Sequence, residues 1–532
     1  MGNNFIGVFE TANWILWILA VYLVVIVLLG LFYSRRIHES DDLVLAGRQL
    51  TLPFLVPSIV ATWVCAGAIM GAAGYGYLFG MQGVIFDPWA PFLCMILVGI
   101  FFAYRMRQAG YTTVVDFFNS RFSPRMGFLY MLMQVLSAVG WLGGQLVALG
   151  IIIHLSTGFP MQLAIIIATI AIIIVTTSGG LWALSRVDAI GFLLVFAGLL
   201  IMLPAVMGDV GGWTEFTARA SNWAELPPFA MTPVAEEEGG YLWYTGIIGI
   251  VYYISAWAAL GLGDVPSQVL MQRALAAKTA KTASSAFVVS GVTYLFLGMI
   301  PVLIGMAMFT GGLELTVEQA EYVLPWAADN LLSGPAATLF IVALAAAIIS
   351  TSGDSALIVA TLIGHNVYRY AKPHADKREE LRVVRIALPV VTLGAMSIAL
   401  YFGTVYRLIV FTGAIQLATV FAPYVAGFFW KKANSFGAIA AYVSGAAAWV
   451  VFYFLTLPST KEANLGVMVE GEVYMDWAIW DAIYISLIPA LVVSFIALIG
   501  VSLATQDRDR PRPMVGADGK ELEKSAQYFW SR

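Results

Sequence analysis

Thirteen separate apolar runs govern what this chain can fold into. A spanning helix needs about 20 mostly apolar residues, and such runs fall at about 12–33, 52–77, 82–104, 126–153, 161–182, 188–207, 241–263, 285–309, 336–368, 384–403, 407–430, 436–457 and 477–503. Inside hydrocarbon each segment must satisfy its own backbone hydrogen bonds, so runs of this kind are helices. Of 532 residues, 60% are hydrophobic and only 11% charged, where soluble domains carry roughly 25% charged residues. The expected class is an all-α polytopic membrane protein whose constant partner is the lipid bilayer. A net charge of −4 gives no reason to expect a nucleic-acid partner. Cys65 and Cys94 both lie in apolar runs, which implies no disulfide framework. The run from Trp14 to Phe32 lacks a basic region before it and reads as a retained helix, not a cleaved signal peptide.

Orientation follows from Lys and Arg, which accumulate in cytoplasmic loops. With the N-terminus outside, only Arg219, Arg407 and Lys461 of the 28 basic residues fall on the outer side. The dense group from Arg369 to Arg385 and the tail from Arg508 to Arg532 then lie inside. The expectation is an inner (plasma) membrane protein, N-terminus outside and C-terminus cytoplasmic. The outer loops are acidic, with Glu236-Glu-Glu238, Glu314, Glu318 and Glu321. The loop over 208–240, with Pro227-Pro228 and Pro233, reads as a connector, with a lid or interfacial helix as the alternative.

Two runs are interrupted by glycine. The second carries Gly67, Gly71, Gly74 and Gly76; the seventh carries Gly246, Gly249, Gly261 and Gly263, then Pro266. Glycine-interrupted spans in corresponding halves point to an inverted-repeat transporter with broken helices. Breaks expose backbone carbonyls that can coordinate a cation; close helix packing is the alternative use of the same glycines.

One apolar run also holds a polar cluster, Ile349-Ser-Thr-Ser-Gly-Asp-Ser355. Ser350, Thr351 and Asp354 share a helix face by spacing. Intramembrane polar groups usually mark an ion or substrate path, although hydroxyls can simply bond carbonyls one turn back. A lone buried carboxylate such as Asp354 costs roughly 3 kcal/mol on insertion scales, so it should have a cation, an arginine or water beside it.

On Ser58-Ile-Val-Ala-Thr-Trp-Val-Cys-Ala-Gly-Ala-Ile-Met-Gly71, Ser178-Gly-Gly-Leu-Trp-Ala183 with Asp188, Gln268-Val-Leu-Met-Gln-Arg273 and the Ser350–Thr351 run, the chain resembles the sodium:solute symporter family. Ala61-Thr-Trp-Val64, Phe101-Phe-Ala-Tyr-Arg-Met-Arg107, Tyr111-Thr-Thr-Val-Val-Asp-Phe-Phe118, Trp141 and Gly437-Ala-Ile-Ala-Ala-Tyr-Val-Ser-Gly445 are most similar to its high-affinity choline transporter branch. The resemblance implies a LeuT-type fold with 13 transmembrane helices around a 5+5 inverted-repeat core. The corresponding regions are an extra helix and loop (1–51), a first repeat (52–207), an extracellular loop (208–240), a second repeat (241–430), two extra helices (431–503) and a cytoplasmic tail (504–532).

The resemblance also implies a sodium ion as co-transported cargo. Its ligands would be the carbonyls of Ala61, Val64 and Ala347 and the hydroxyls of Ser350 and Thr351. Asp188 would be a second-ion or release residue or a structural anion at a helix start; here Gly191 stands where the family has glutamine, and Arg186 precedes. Asp354 is one residue displaced from the branch's aspartate, at Gly353 here, and stands as a second-ion candidate.

For substrate, Trp63 and Trp141 match two walls of an aromatic box that holds a quaternary ammonium by cation–π attraction. The third wall is Ser267 here; Tyr252, Tyr253 and Trp257 upstream are the candidates to replace it, with Gln268 beside it. Gln145 and Asp87 are further polar groups with structural or functional uses. The expected function is sodium-coupled import of a small organic solute, a choline- or betaine-like quaternary ammonium. The alternatives are an amino acid, a monocarboxylate or a urea-like solute, or, from other classes, a sensor or a passive channel. No metal-spaced histidine pair or nucleophile–base motif suggests an enzyme. Homo-oligomers are compatible with all of this.

Overall fold

The computed structural model describes residues 12–34, 45–221, 240–368, 376–465 and 475–522, a few isolated positions beside them, and most of their side chains, though not those of 178–190. Helices dominate; the two strand pairs, Gly240–Tyr241 with Tyr244–Thr245 and Met468–Val469 with Glu472–Val473, are two residues long. Seven described helices are long and apolar enough to cross a membrane, or ten if each of three sharply bent pairs is one span. Shorter apolar helices at Asn13–Leu28, Met161–Thr177 and Gly246–Gly261 occupy the places of the first, fifth and seventh expected runs. The expected loop between the fifth and sixth runs is not formed: Met161–Asp209 is one continuous helix, and no proline precedes Pro204 to interrupt it. In the 208–240 connection, Gly211 and Gly212 take φ +98° and +92°, and the chain turns 71° into the short helix Trp213–Ser221.

Burial separates centre from rim. Pro124–Thr157 and Gly334–Val367 are 89% buried over their apolar windows, against 22% for Ser435–Asn464. Outward-facing side chains such as Trp17, Ile247, Phe296 and Tyr401 are exposed and apolar, as a bilayer-facing surface requires.

The glycines of the second run serve close packing. A Cβ at Gly67 would stand 2.9 Å from the Ile409 side chain, and one at Gly71 2.6 Å from Tyr406. Gly74 and Gly76 meet backbone atoms of Ala320 and Val302 at 2.9 Å. The break itself comes just before them. Leu52–Trp63 ends at Val64 (φ −73°, ψ 69°), and Gly67–Gly83 leaves at 57° to it. The seventh run breaks as well. Gly246–Gly261 stops, five residues turn, and Gln268–Ala276 begins after Pro266. Gly263 in that turn lies so close to the Gly413 carbonyl that a Cβ would come within 2.1 Å of it.

Between the third and fourth spans, the short helix Val114–Arg121 holds a structural cation. Arg121 donates to the carbonyls of Gly427 (2.9 Å), Trp430 (3.0 Å) and Ala433 (3.0 Å), where the helix Phe421–Phe429 ends. A cation at a helix C-terminus satisfies orphan carbonyls and complements the dipole. Burial pulls its guanidinium down to about 10, so it stays charged at neutral pH. Arg121→Ala is expected to lower the thermal unfolding midpoint in detergent, because charge-assisted hydrogen bonds contribute about 1.5–3 kcal/mol each. Arg121→Lys, which cannot span three carbonyls, should recover less than half of the loss.

Candidate functional site

At the first break the helical ladder is rerouted. Cys65 N donates to Trp63 O (2.7 Å), not to Ala61 O four residues back. Ala66 N donates to the Gln145 side chain (3.3 Å), so Gln145 props the break open. The released Ala61 carbonyl accepts from Thr351 Oγ1 at 3.3 Å, across 290 residues of sequence. The single proton of that hydroxyl is shared with Ala347 O, the nearer acceptor at 2.9 Å and the one-turn-back bond open to any helical threonine. Two carbonyls expected to hold sodium are thus within hydrogen-bond distance of a third expected ligand, the Thr351 hydroxyl. Ser350 and Val64 are buried beside them in sequence.

Asp354 finds an arginine. Arg273 Nη2 pairs with its Oδ2, and both side chains are 1% exposed. The pair joins Gln268–Ala276 to Gly334–Thr361 and accounts for the Asp354 charge without an ion. Asp188 and Arg186 lie among the side chains outside the described residues.

Trp63 and Trp141 meet edge to face, with ring centroids 5.6 Å apart at 85°. Both line one narrow cavity, together with Ser267, Thr62, Ser137 and Asp264. The space open to the centre of a water-sized sphere is about 10 Å³, the size at which a single water begins to fit. The walls are therefore closed together. Neither indole N–H, of Trp63 or Trp141, has a hydrogen-bond partner.

The upstream aromatics do not join this cavity. Tyr252 donates to Asp481 (2.6 Å) and lines a second cavity with Tyr75, Tyr406, Arg407 and Trp477. Tyr253 packs on Tyr241, and Trp257 faces Trp89 at 6.3 Å. Their helix ends before the break, and its spacing turns these rings toward other neighbours. Gln268 also stands off the cavity: its N–H donates to Gln134 (2.9 Å) and its side chain accepts from Val114 N (2.7 Å). Asp87 accepts from the Tyr294 hydroxyl.

Sequence reasoning passed over Asp264 and Gln416. Gln416 Nε2 reaches Asp264 (2.5 Å), Ser137 (3.1 Å) and the Thr412 carbonyl (3.1 Å), and its carbonyl accepts from Gln134 (2.5 Å). With the Gln134–Gln268 and Gln268–Val114 bonds, this chain of amides runs from the cavity to the N-terminus of Val114–Arg121. A glutamine amid the apolar run Phe411–Val420 was the available signal.

Two broken helices beside a buried polar-aromatic cavity define a secondary transporter architecture. The solved structure of a Na+-coupled sialic acid symporter superposes with a TM-score of 0.72 at 17% identity, covering 96% of this chain and 99% of that one. Mhp1, a nucleobase-cation-symport-1 family transporter, superposes at 0.51 with 15% identity, covering 86% and 94%. The fold is the LeuT type. The chain belongs to the sodium:solute symporter family, which matches residues 43–445. Its relatives include the high-affinity choline transporters 1 of Homo sapiens (26% identity, 80% of this chain, 74% of that protein) and Drosophila melanogaster (27%, 96% and 80%). The sodium/glucose cotransporter of Vibrio parahaemolyticus is 26% identical over 83% of this chain and 86% of its own length. These relatives are transporters, and sodium-coupled solute symport by an integral membrane protein is the activity that membership carries.

Asp354→Ala is expected to destabilise the protein by about 3–5 kcal/mol, since it strands Arg273 in the membrane interior. Arg273→Met with Asp354→Leu should be closer to wild type than either single variant in a detergent melting assay. A double variant as unstable as Asp354→Ala would mean that the pair does more than balance charge.

Proposed function

We propose that this protein imports a choline- or betaine-like quaternary ammonium together with sodium across the plasma membrane. The observation that carries the sodium site is the Thr351 hydroxyl between the Ala61 and Ala347 carbonyls. Sodium would sit there, held by those two carbonyls, the carbonyl of Val64 and the hydroxyls of Ser350 and Thr351. Neutral oxygens make a weak, exchangeable site, which a transported ion needs. The repeats 52–207 and 241–430 would rock around it. With the N-terminus outside and the basic loops in the cytoplasm, the membrane potential adds about 2.3 kcal/mol per charge per 100 mV to inward sodium movement.

The substrate would lie against Trp63 and Trp141, with Ser267 as the small third wall. Ring faces suit a methylated ammonium, which cannot donate a hydrogen bond. Similarity to several choline transporters supports this reading over a sugar, an amino acid or a urea-like solute. Sodium would order the first break against the helix Gly334–Thr361 and so raise substrate affinity, with the reciprocal effect required by linkage.

Labelled choline should enter proteoliposomes under an inward sodium gradient and stop when potassium replaces sodium. Thr351→Val removes one ligand, and a loss of about 1–2 kcal/mol corresponds to a five- to thirtyfold higher sodium requirement. Thr351→Ser should stay within threefold of wild type. Uptake that persists without sodium at clamped pH contradicts the sodium assignment.

A further inference from the structure

Asp264 is a carboxylate at membrane depth, 4% exposed, in the turn between the two halves of the second broken helix. It lines the cavity that holds Trp63, Trp141 and Ser267. Among the described residues no basic side chain lies within ion-pair distance of it. The contrast is Asp354, whose charge Arg273 balances. The donor that Asp264 does have is shared. Gln416 Nε2 carries two hydrogens and faces three acceptors, namely Asp264 Oδ1 (2.5 Å), Ser137 Oγ (3.1 Å) and Thr412 O (3.1 Å). The bond from Gln134 to the Gln416 carbonyl fixes which end of that amide faces Asp264. The carboxylate is therefore aimed by an amide and faces no opposite charge among the described residues, in a place where an uncompensated charge is costly.

We propose that Asp264 is the specificity-determining residue of the substrate cavity, and that it restricts the substrate to small organic ammonium ions of net positive charge. The proposal rests on the quaternary-ammonium reading above and narrows it: choline-like cations are accepted, while betaine-like zwitterions and neutral isosteres are rejected. The two tryptophan faces and the carboxylate all favour positive charge. A ligand carboxylate brought beside Asp264 would meet like charge at low dielectric, which is discrimination by repulsion. Charge here does the work of the ring that Ser267 leaves out.

The test is competition against labelled choline on the purified full-length protein in nanodiscs with saturating sodium. The competitors are choline, glycine betaine and dimethylbutanol, the uncharged carbon isostere of choline. Betaine and dimethylbutanol should each bind at least about 100-fold more weakly than choline, a gap that pocket shape alone does not produce for isosteres. Asp264→Asn should weaken choline at least about 30-fold and dimethylbutanol less than threefold, while Asp264→Glu keeps the order of preference. Asp264→Asn with Ser267→Trp should regain at least about fivefold for choline, because a third ring replaces the lost charge. A sodium-induced rise in melting temperature retained in each variant shows that it is folded; if Asp264→Asn lacks it, the wild-type ranking and Asp264→Glu decide. Betaine or dimethylbutanol within threefold of choline overturns the proposal alone. So does an Asp264→Asn variant that is folded and binds choline within threefold of wild type. Absence of sodium-dependent binding for both choline and betaine overturns the underlying reading as well.

Discussion

Everything in this molecule turns on one carbonyl that a helix gives up. Backbone polar groups in a bilayer must be satisfied, and the default is the intrahelical bond. At Ala61 that bond is lost because Cys65 N turns back to Trp63 O. The oxygen is met by Thr351, from a helix nearly three hundred residues away. Gln145 takes the neighbouring Ala66 N–H, so the break is held from two sides. A bend that costs the second span its continuity thereby joins it to the helix Gly334–Thr361.

Several buried carboxylates in the interior are met by named partners. Asp354 has Arg273, Asp87 has the Tyr294 hydroxyl, and Asp481 is held by Tyr244, Tyr252 and Asn464. Glycines at 67, 71 and 263 let helices approach where any side chain would collide. Two of the buried polar groups without a partner are the indole N–H groups of Trp63 and Trp141, and the Asp264 carboxylate beside them is met by the Gln416 amide and by no opposite charge among the described residues.

The class and the fold were legible because hydropathy and interrupted spans are strong local signals. The run Ser350–Thr351 stood out because several polar residues cluster inside one apolar run, and the resemblance to the sodium:solute symporter family pointed to Ala61 as its partner. Other readings went astray for physical reasons. The glycines of the second run suggested where its helix breaks, yet they mark close approach to Ile409, Tyr406, Ala320 and Val302, and the break precedes them. Tyr252, Tyr253 and Trp257 looked like replacements for the ring missing at Ser267, but helical periodicity turns them to Asp481, Tyr241 and Trp89. The compensating group was three residues upstream of Ser267. Asp264 hid in Gly263-Asp-Val-Pro266, where an aspartate reads as ordinary turn chemistry. Only the fold shows that this turn faces a cavity and not solvent.

The central claim is that the first break and the Thr351 helix form one ion site whose occupancy sets the substrate pocket. Thermodynamic linkage gives it a direct measurement. Choline affinity should be measured by calorimetry with and without sodium, and sodium affinity with and without choline, on the same preparation. The account predicts two equal ratios, each about fivefold or more, since coupling between sites is reciprocal. A choline affinity that is independent of sodium would contradict it.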